Sequence, residues 1–190
     1  MTTELGYYGG QDKAYLQRED ETVSQRILLL VIIACTSLWA NTGQAALDEL
    51  TISELSAIDQ QYMAGARNSL QEKSASYLGR SFSGDRDRDI EILQTLLDKG
   101  LVRNHQTKEL QAMGIVLGDL LLKELGMKWV IYEDKAGRTR ALRLNDTDTY
   151  LFPVTMIARR REVGNTASVE SIYKKAVATI KRRQAPLPFQ

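Results

Sequence analysis

From residue 51 onward, hydrophobic positions fall first into a helical period, then into alternation, then into a helical period again. In "TISELSAIDQQYMAGARNSLQEKSASYLG", Ile52, Leu55, Ile58, Tyr62 and Met63 recur at helical spacing, and Thr51 followed by Glu54 is a capping-box pattern. A first helix is predicted over 52–77, ending near Gly79. "RDRDIEILQTLLDKG" places Ile90, Leu93, Leu96 and Leu97 on one side and acids in its first turn, so a second amphipathic helix closes at Gly100. The third, over 107–126, is apolar nearly all round, which marks a central buried helix. Its Gly114 and Gly118 share one face, and each costs about 1 kcal/mol against alanine. A strand or helix packed closely on that face is therefore predicted.

"KWVIYEDKAGRTRALRLND" then alternates on either side of a Gly137 turn, predicting a β-hairpin, and "TYLF" offers a third strand stopped by Pro153. "PVTMIARRREV" predicts a short helix ending at Gly164, and Val169, Ile172, Ala176, Val177 and Ile180 give the inner face of a last helix over 167–183. The predicted class is α+β: helices around a buried central helix and a small antiparallel sheet, with C-terminal helices.

The longest apolar run lies ahead of this body, in "SQRILLLVIIACTSLWANTGQA". Ile27 to Ala40 makes 14 residues, short of the about 20 that a membrane-crossing helix needs. It has the length of a signal-peptide core, with Arg26 before it and the small residues Gly43 and Ala45 after it. The preceding 22 residues carry five acids against two bases, too long and too acidic for a signal's leading segment; a start at Val23 would remove them. Residues 1–22 thus read as a non-native leader or disordered segment, 23–45 as a signal peptide, and 46–190 as a single domain. The expected location is periplasmic or secreted. Ile32, Ile33, Ala34 and Cys35 also resemble a lipobox, so the alternative is a membrane-anchored lipoprotein acylated at Cys35, and an uncleaved run would touch the membrane through the N-terminus.

Cys35 is the only cysteine, which removes disulfides, a thiol nucleophile and thiolate metal sites from the body. The whole chain has a net charge of +1, yet residues 135–190 hold twelve Lys or Arg against four Asp or Glu, whereas 46–134 hold ten against fifteen. Arg143, the run Arg159, Arg160 and Arg161, and the run Lys181, Arg182 and Arg183 are the candidate contact residues for an anionic envelope component or a protein partner. Nucleic acid is disfavoured by the export signal and by the lack of an aromatic-rich basic sheet.

The stretch "MGIVLGDLLLKELGMKWVIYEDKAGRTRALRL" followed by "YLFPVTMIARR" resembles an uncharacterised bacterial family of domains of unknown function. The pattern is a glycine-spaced helix, a Gly-x-x-Trp lead into a strand, and Phe-Pro before a basic helix, here Gly114, Gly118, Gly126, Trp129, Phe152, Pro153 and Arg159. The likeness spans 108–161. It implies a fold and no activity.

No catalytic residue, cofactor site or metal site is expected. His105, the only histidine, lies in a polar interhelical loop. "DRDRD" (85–89) alternates like a calcium loop but has Ile90 where that loop needs glycine and Leu96 where it needs glutamate. Asp119, in an apolar stretch, is a candidate buried carboxylate with Arg140 or Arg143 as its expected partner. Two functions follow: a non-catalytic binding or accessory module of the cell envelope, or a small hydrolase using carboxylates around Asp119 and Glu133.

Overall fold

The computed structural model describes residues 50–184. Their order is β1 (Thr51–Ser53), α1 (Ala57–Leu78), α2 (Arg86–Asp98), α3 (Thr107–Leu125), β2 (Met127–Asp134), β3 (Gly137–Leu144), β4 (Tyr150–Leu151), α4 (Pro153–Met156), α5 (Ala158–Glu162) and α6 (Val169–Gln184). The class is α+β, and the strands form one antiparallel sheet in sequence order. The leader, the signal-peptide segment and Cys35 lie outside the described residues.

α3 is the centre, as its all-round apolar sequence predicts. Leu110, Met113, Ile115, Leu117 and Leu121 have no more than traces of exposure, and α1, α2, α4, α5, α6 and the sheet all pack on it. At Gly114 a methyl would collide with the carbonyl oxygens of Pro153 and Val154; at Gly118 it would meet the Trp129 indole and the Pro153 ring. α4 and β2 therefore occupy the face the two glycines leave bare. Gly126 ends α3 with φ +64°, its N–H donating to Leu122, and the chain turns straight into β2.

Two elements differ from prediction. α1 starts at Ala57, because the capping box forms at Ser56 and Asp59 in place of Thr51 and Glu54. Thr51–Ser53, freed from the helix, is instead the edge strand, pairing with Glu133, Tyr132 and Ile131. Its β-branched Thr51 and Ile52 suit that role. α1 then buries Asp59, Met63, Leu70 and Ser74, leaving Ile58 and Tyr62 78% and 42% exposed instead of inside. The predicted helix at 153–164 is two pieces: α4 opens with a tight turn, Thr155 N–H donating to Phe152 at 3.3 Å, and α5 follows buried Ile157.

Candidate functional site

Two carboxylate–arginine anchors fix α1 to the rest of the molecule. The first is Asp59, 1% exposed at the start of α1. Strand alternation places Arg138 and Arg140 on the sheet face that also carries Trp129, and both arginines reach Asp59. Arg138 donates through Nη1 at 3.1 Å and Nη2 at 2.6 Å, and Arg140 through Nη2 at 2.8 Å. Ser56 adds its hydroxyl at 2.5 Å and its backbone N–H at 3.2 Å. The Arg138 hydrogen bond holds the Asp59 carboxyl well below the usual carboxylate range, assisted by Ser56 and the Arg140 charge and opposed by burial. Arg140 also lies 4.2 Å from the centre of the Tyr62 ring.

The second anchor is Asp119. Arg67 of α1 grips it with Nε at 2.6 Å and Nη2 at 2.8 Å, and Trp129 Nε1 donates at 3.0 Å. The expected partner from the hairpin is therefore replaced by Arg67, because Arg140 is taken by Asp59. Nor is Asp119 buried: its side chain is 36% exposed. It forms one wall of a cleft of about 250 Å³ whose other walls include Asn68, Gln71, Phe82, Leu120 and Lys123. Sequence reasoning named Asp119 but missed Asp59 and Arg67. The available signal for Asp59 was its place in a second S-x-x-D pattern, four residues before buried Met63.

The remaining acids do not converge. Glu133 lies four residues beyond Trp129 on β2, about 13 Å of strand, and Glu124 pairs with Lys181 at 2.9 Å. Asp134 accepts from the Ala136 N–H at 2.8 Å. In the "DRDRD" run, Asp85 caps α2 by accepting from Arg88 N–H, while buried Asp89 accepts from the N–H groups of Ser83 and Gly84 at 3.0 and 2.8 Å. Among the described residues no three His, Cys, Asp or Glu side chains are grouped to hold a metal.

The candidate basic residues do not form one surface. Glu162, next to Arg161, meets Thr107 at the start of α3 at 3.4 Å, whereas Lys181 meets Glu124 near its end. The helix rise over the 17 steps from Thr107 to Glu124 sets these two contact points about 25 Å apart. Arg143 donates to the carbonyls of Thr147 and Asp146 at 2.8 and 2.9 Å, holding the β3–β4 loop. Arg160 and Arg161 likewise bond the carbonyls of Met156 and Ala167. Arg159, Arg182 and Arg183 are exposed.

The solvent side of α6 is the more continuous cationic feature, with Lys174, Lys175, Lys181, Arg182 and Arg183 all exposed. Glu170 pairs with Lys174 at 3.0 Å. On the sheet face turned from α3, Tyr132 meets Tyr150 and Phe152 edge-on, with ring centres 5.1 and 5.2 Å apart. Alternation puts Lys128 and Arg143 on the same face, so around the candidate Arg143 the sheet carries an aromatic and basic cluster where the sequence led to the expectation of none. No helix of the described residues is long and apolar enough to cross a membrane.

These features define an α+β domain in which a glycine-faced central helix is clasped by a short sheet and by an N-terminal helix held through two ion-pair anchors. Residues 89–173 match the family described as "Domain of unknown function (DUF3806)", and the resemblance read over 108–161 falls within that span. The fold is similar to a crystal structure from Bacteroides thetaiotaomicron VPI-5482 at 17% identity and a TM-score of 0.64. The match covers 72% of this chain and 50% of that one, so this chain spans half the length of the other protein. No curated protein matches it.

Proposed function

We propose that this chain is an exported, non-catalytic binding module of a bacterial cell envelope, and that the solvent side of α6 is its contact surface for an anionic envelope component. The observation that carries the reading is the row of five exposed cations on α6 beside the single acid Glu170. Lys174 and Lys181 are paired, which leaves Lys175, Arg182 and Arg183 as the contact charges. The commitment of Asp59, Asp119 and Glu124 to ion pairs favours binding over acid–base chemistry. Export rests on the signal-like run at 23–45.

Phosphatidylglycerol vesicles test the surface. Each cation near an anionic bilayer contributes about 1 kcal/mol, so Lys175→Ala, Arg182→Ala and Arg183→Ala together are expected to weaken binding by more than about tenfold. Added salt should weaken it as well, and phosphatidylcholine vesicles should not bind. Equal binding by the triple variant removes α6 from the reading. Intact mass of the protein from envelope fractions checks export: a chain beginning near Ala46 or at acylated Cys35 fits, and one retaining Met1 does not.

A further inference from the structure

α1 exposes a second stripe, beside its buried one. Ile58, Tyr62, Gly65, Ser69 and Lys73 follow helical spacing along it, and together with Ala66 and the first turn of α3 they bound a groove of about 700 Å³. That volume falls in the range of small-molecule sites, at roughly 300–1,000 Å³. Ile58 is the most exposed large hydrophobic residue of α1, at 78%. Buried Leu70 and Ala112 line its base, and exposed Gly65 leaves its side open: a methyl placed there would find no heavy atom within 4 Å.

The groove has a sign as well as a shape. Lys73 and Lys108 both line it, and neither is in an ion pair among the described residues; Lys73 reaches only the Leu101 carbonyl, at 3.4 Å. The one acid on the rim, Glu109, accepts from the Gln106 amide at 3.2 Å. Both walls are helices, and apart from the N–H groups of the uncapped first turn of α3 their backbone is paired within the helix, so an extended peptide would find no strand edge on which to satisfy its own N–H and C=O groups. A single hydrocarbon chain makes no such demand.

We propose that the groove between α1 and the start of α3 binds a free long-chain carboxylate, with the chain laid over Ile58, Tyr62 and Ala66 and the carboxylate held by Lys73 and Lys108. This site is separate from the α6 surface and does not depend on it. Apolar burial supplies the affinity, and the lysines choose the head group.

Titration calorimetry on the full chain with dodecanoate, below the concentration at which it forms micelles, is the test. Saturable one-to-one binding is expected, with dodecyltrimethylammonium at least about tenfold weaker. Gly65→Leu, which puts a bulky side chain into the open side of the groove, should weaken dodecanoate by about tenfold or more, and Lys73→Glu with Lys108→Glu should reverse the head-group preference. Circular dichroism establishes that each variant is folded; if Gly65→Leu is not, Ile58→Ser replaces it with the same expected loss. Absence of saturable binding, equal affinity for the two head groups, or dodecanoate binding untouched by both the groove-filling and lysine variants overturns the proposal. The last outcome would assign the binding to another part of the chain, including the apolar run at 27–40.

Discussion

With Asp59 replaced by alanine, the domain is expected to lose about 3 kcal/mol of unfolding free energy, read as a lower urea midpoint. The side chain is 2% exposed and accepts from two arginines, so its removal strands two guanidinium groups at once. It also breaks half of the capping box that starts α1. Arg138 and Arg140 are 44% and 22% exposed and recover part of their hydration, which keeps the cost at the lower end of the range for broken buried pairs. Asp59→Asn, which retains the cap but not the charge, should fall between the two. The anchor also sets a pH dependence. Because the folded state depresses the Asp59 pKa, its contribution is fully present above the ordinary carboxylate pKa of about 3.9 and is lost as pH falls toward the folded value. The wild type should therefore lose more stability than Asp59→Asn between about pH 5 and pH 2. A cost under about 1 kcal/mol at neutral pH, or parallel pH curves, would reduce the anchor to an ordinary surface pair.

Gly114→Ala is expected to destabilise the domain by about 2–3 kcal/mol, even though alanine gains about 1 kcal/mol of helix propensity. Its methyl would be driven into the backbone carbonyls of Pro153 and Val154, which cannot swing aside as a side chain can. α4 itself cannot retreat easily, since Val154 and Ile157 are 7% and 0% exposed. Gly65→Ala provides the comparison: the same substitution within a helix, but in open space, should stabilise by about 0.5–1 kcal/mol. Opposite shifts in the urea midpoint isolate the packing contribution from the backbone one. A stabilising Gly114→Ala would show that α4 is not seated against α3 as described.

Elements defined by long, repeated patterns were legible. α3 was predicted over 107–126 and spans Thr107–Leu125, and the hairpin, its third strand and the last helix lie where period and turn residues put them. β1 was not legible, because three residues carry no period and the strand exists only to pair with the free edge of β2. The same limit explains Ile58 and Tyr62. Their spacing marks an apolar stripe, but which stripe of α1 turns inward was decided by Asp59 meeting two arginines 79 and 81 residues away. Asp119 stood out as an acid in an apolar run, yet its partner Arg67 lies on another helix and no local pattern links them. The placement of the basic runs was hidden for a related reason: they are near in the C-terminal sequence, and the chain carries them toward opposite ends of α3.

The stretch that matches the domain family runs from 89 to 173, and both anchors reach outside it. Asp59 and Arg67 belong to α1, which precedes that stretch, and Ala176 and Ile180 of α6, both core residues, follow it. Cut at those limits, the segment would retain Asp119, Arg138 and Arg140 without their oppositely charged partners and would open the core where Met63, Leu70 and Ile180 now close it. The length over which likeness can be detected is thus shorter than the length that makes a self-supporting body. A protein sharing only the matched stretch has to complete it with a helix and counter-charges of its own.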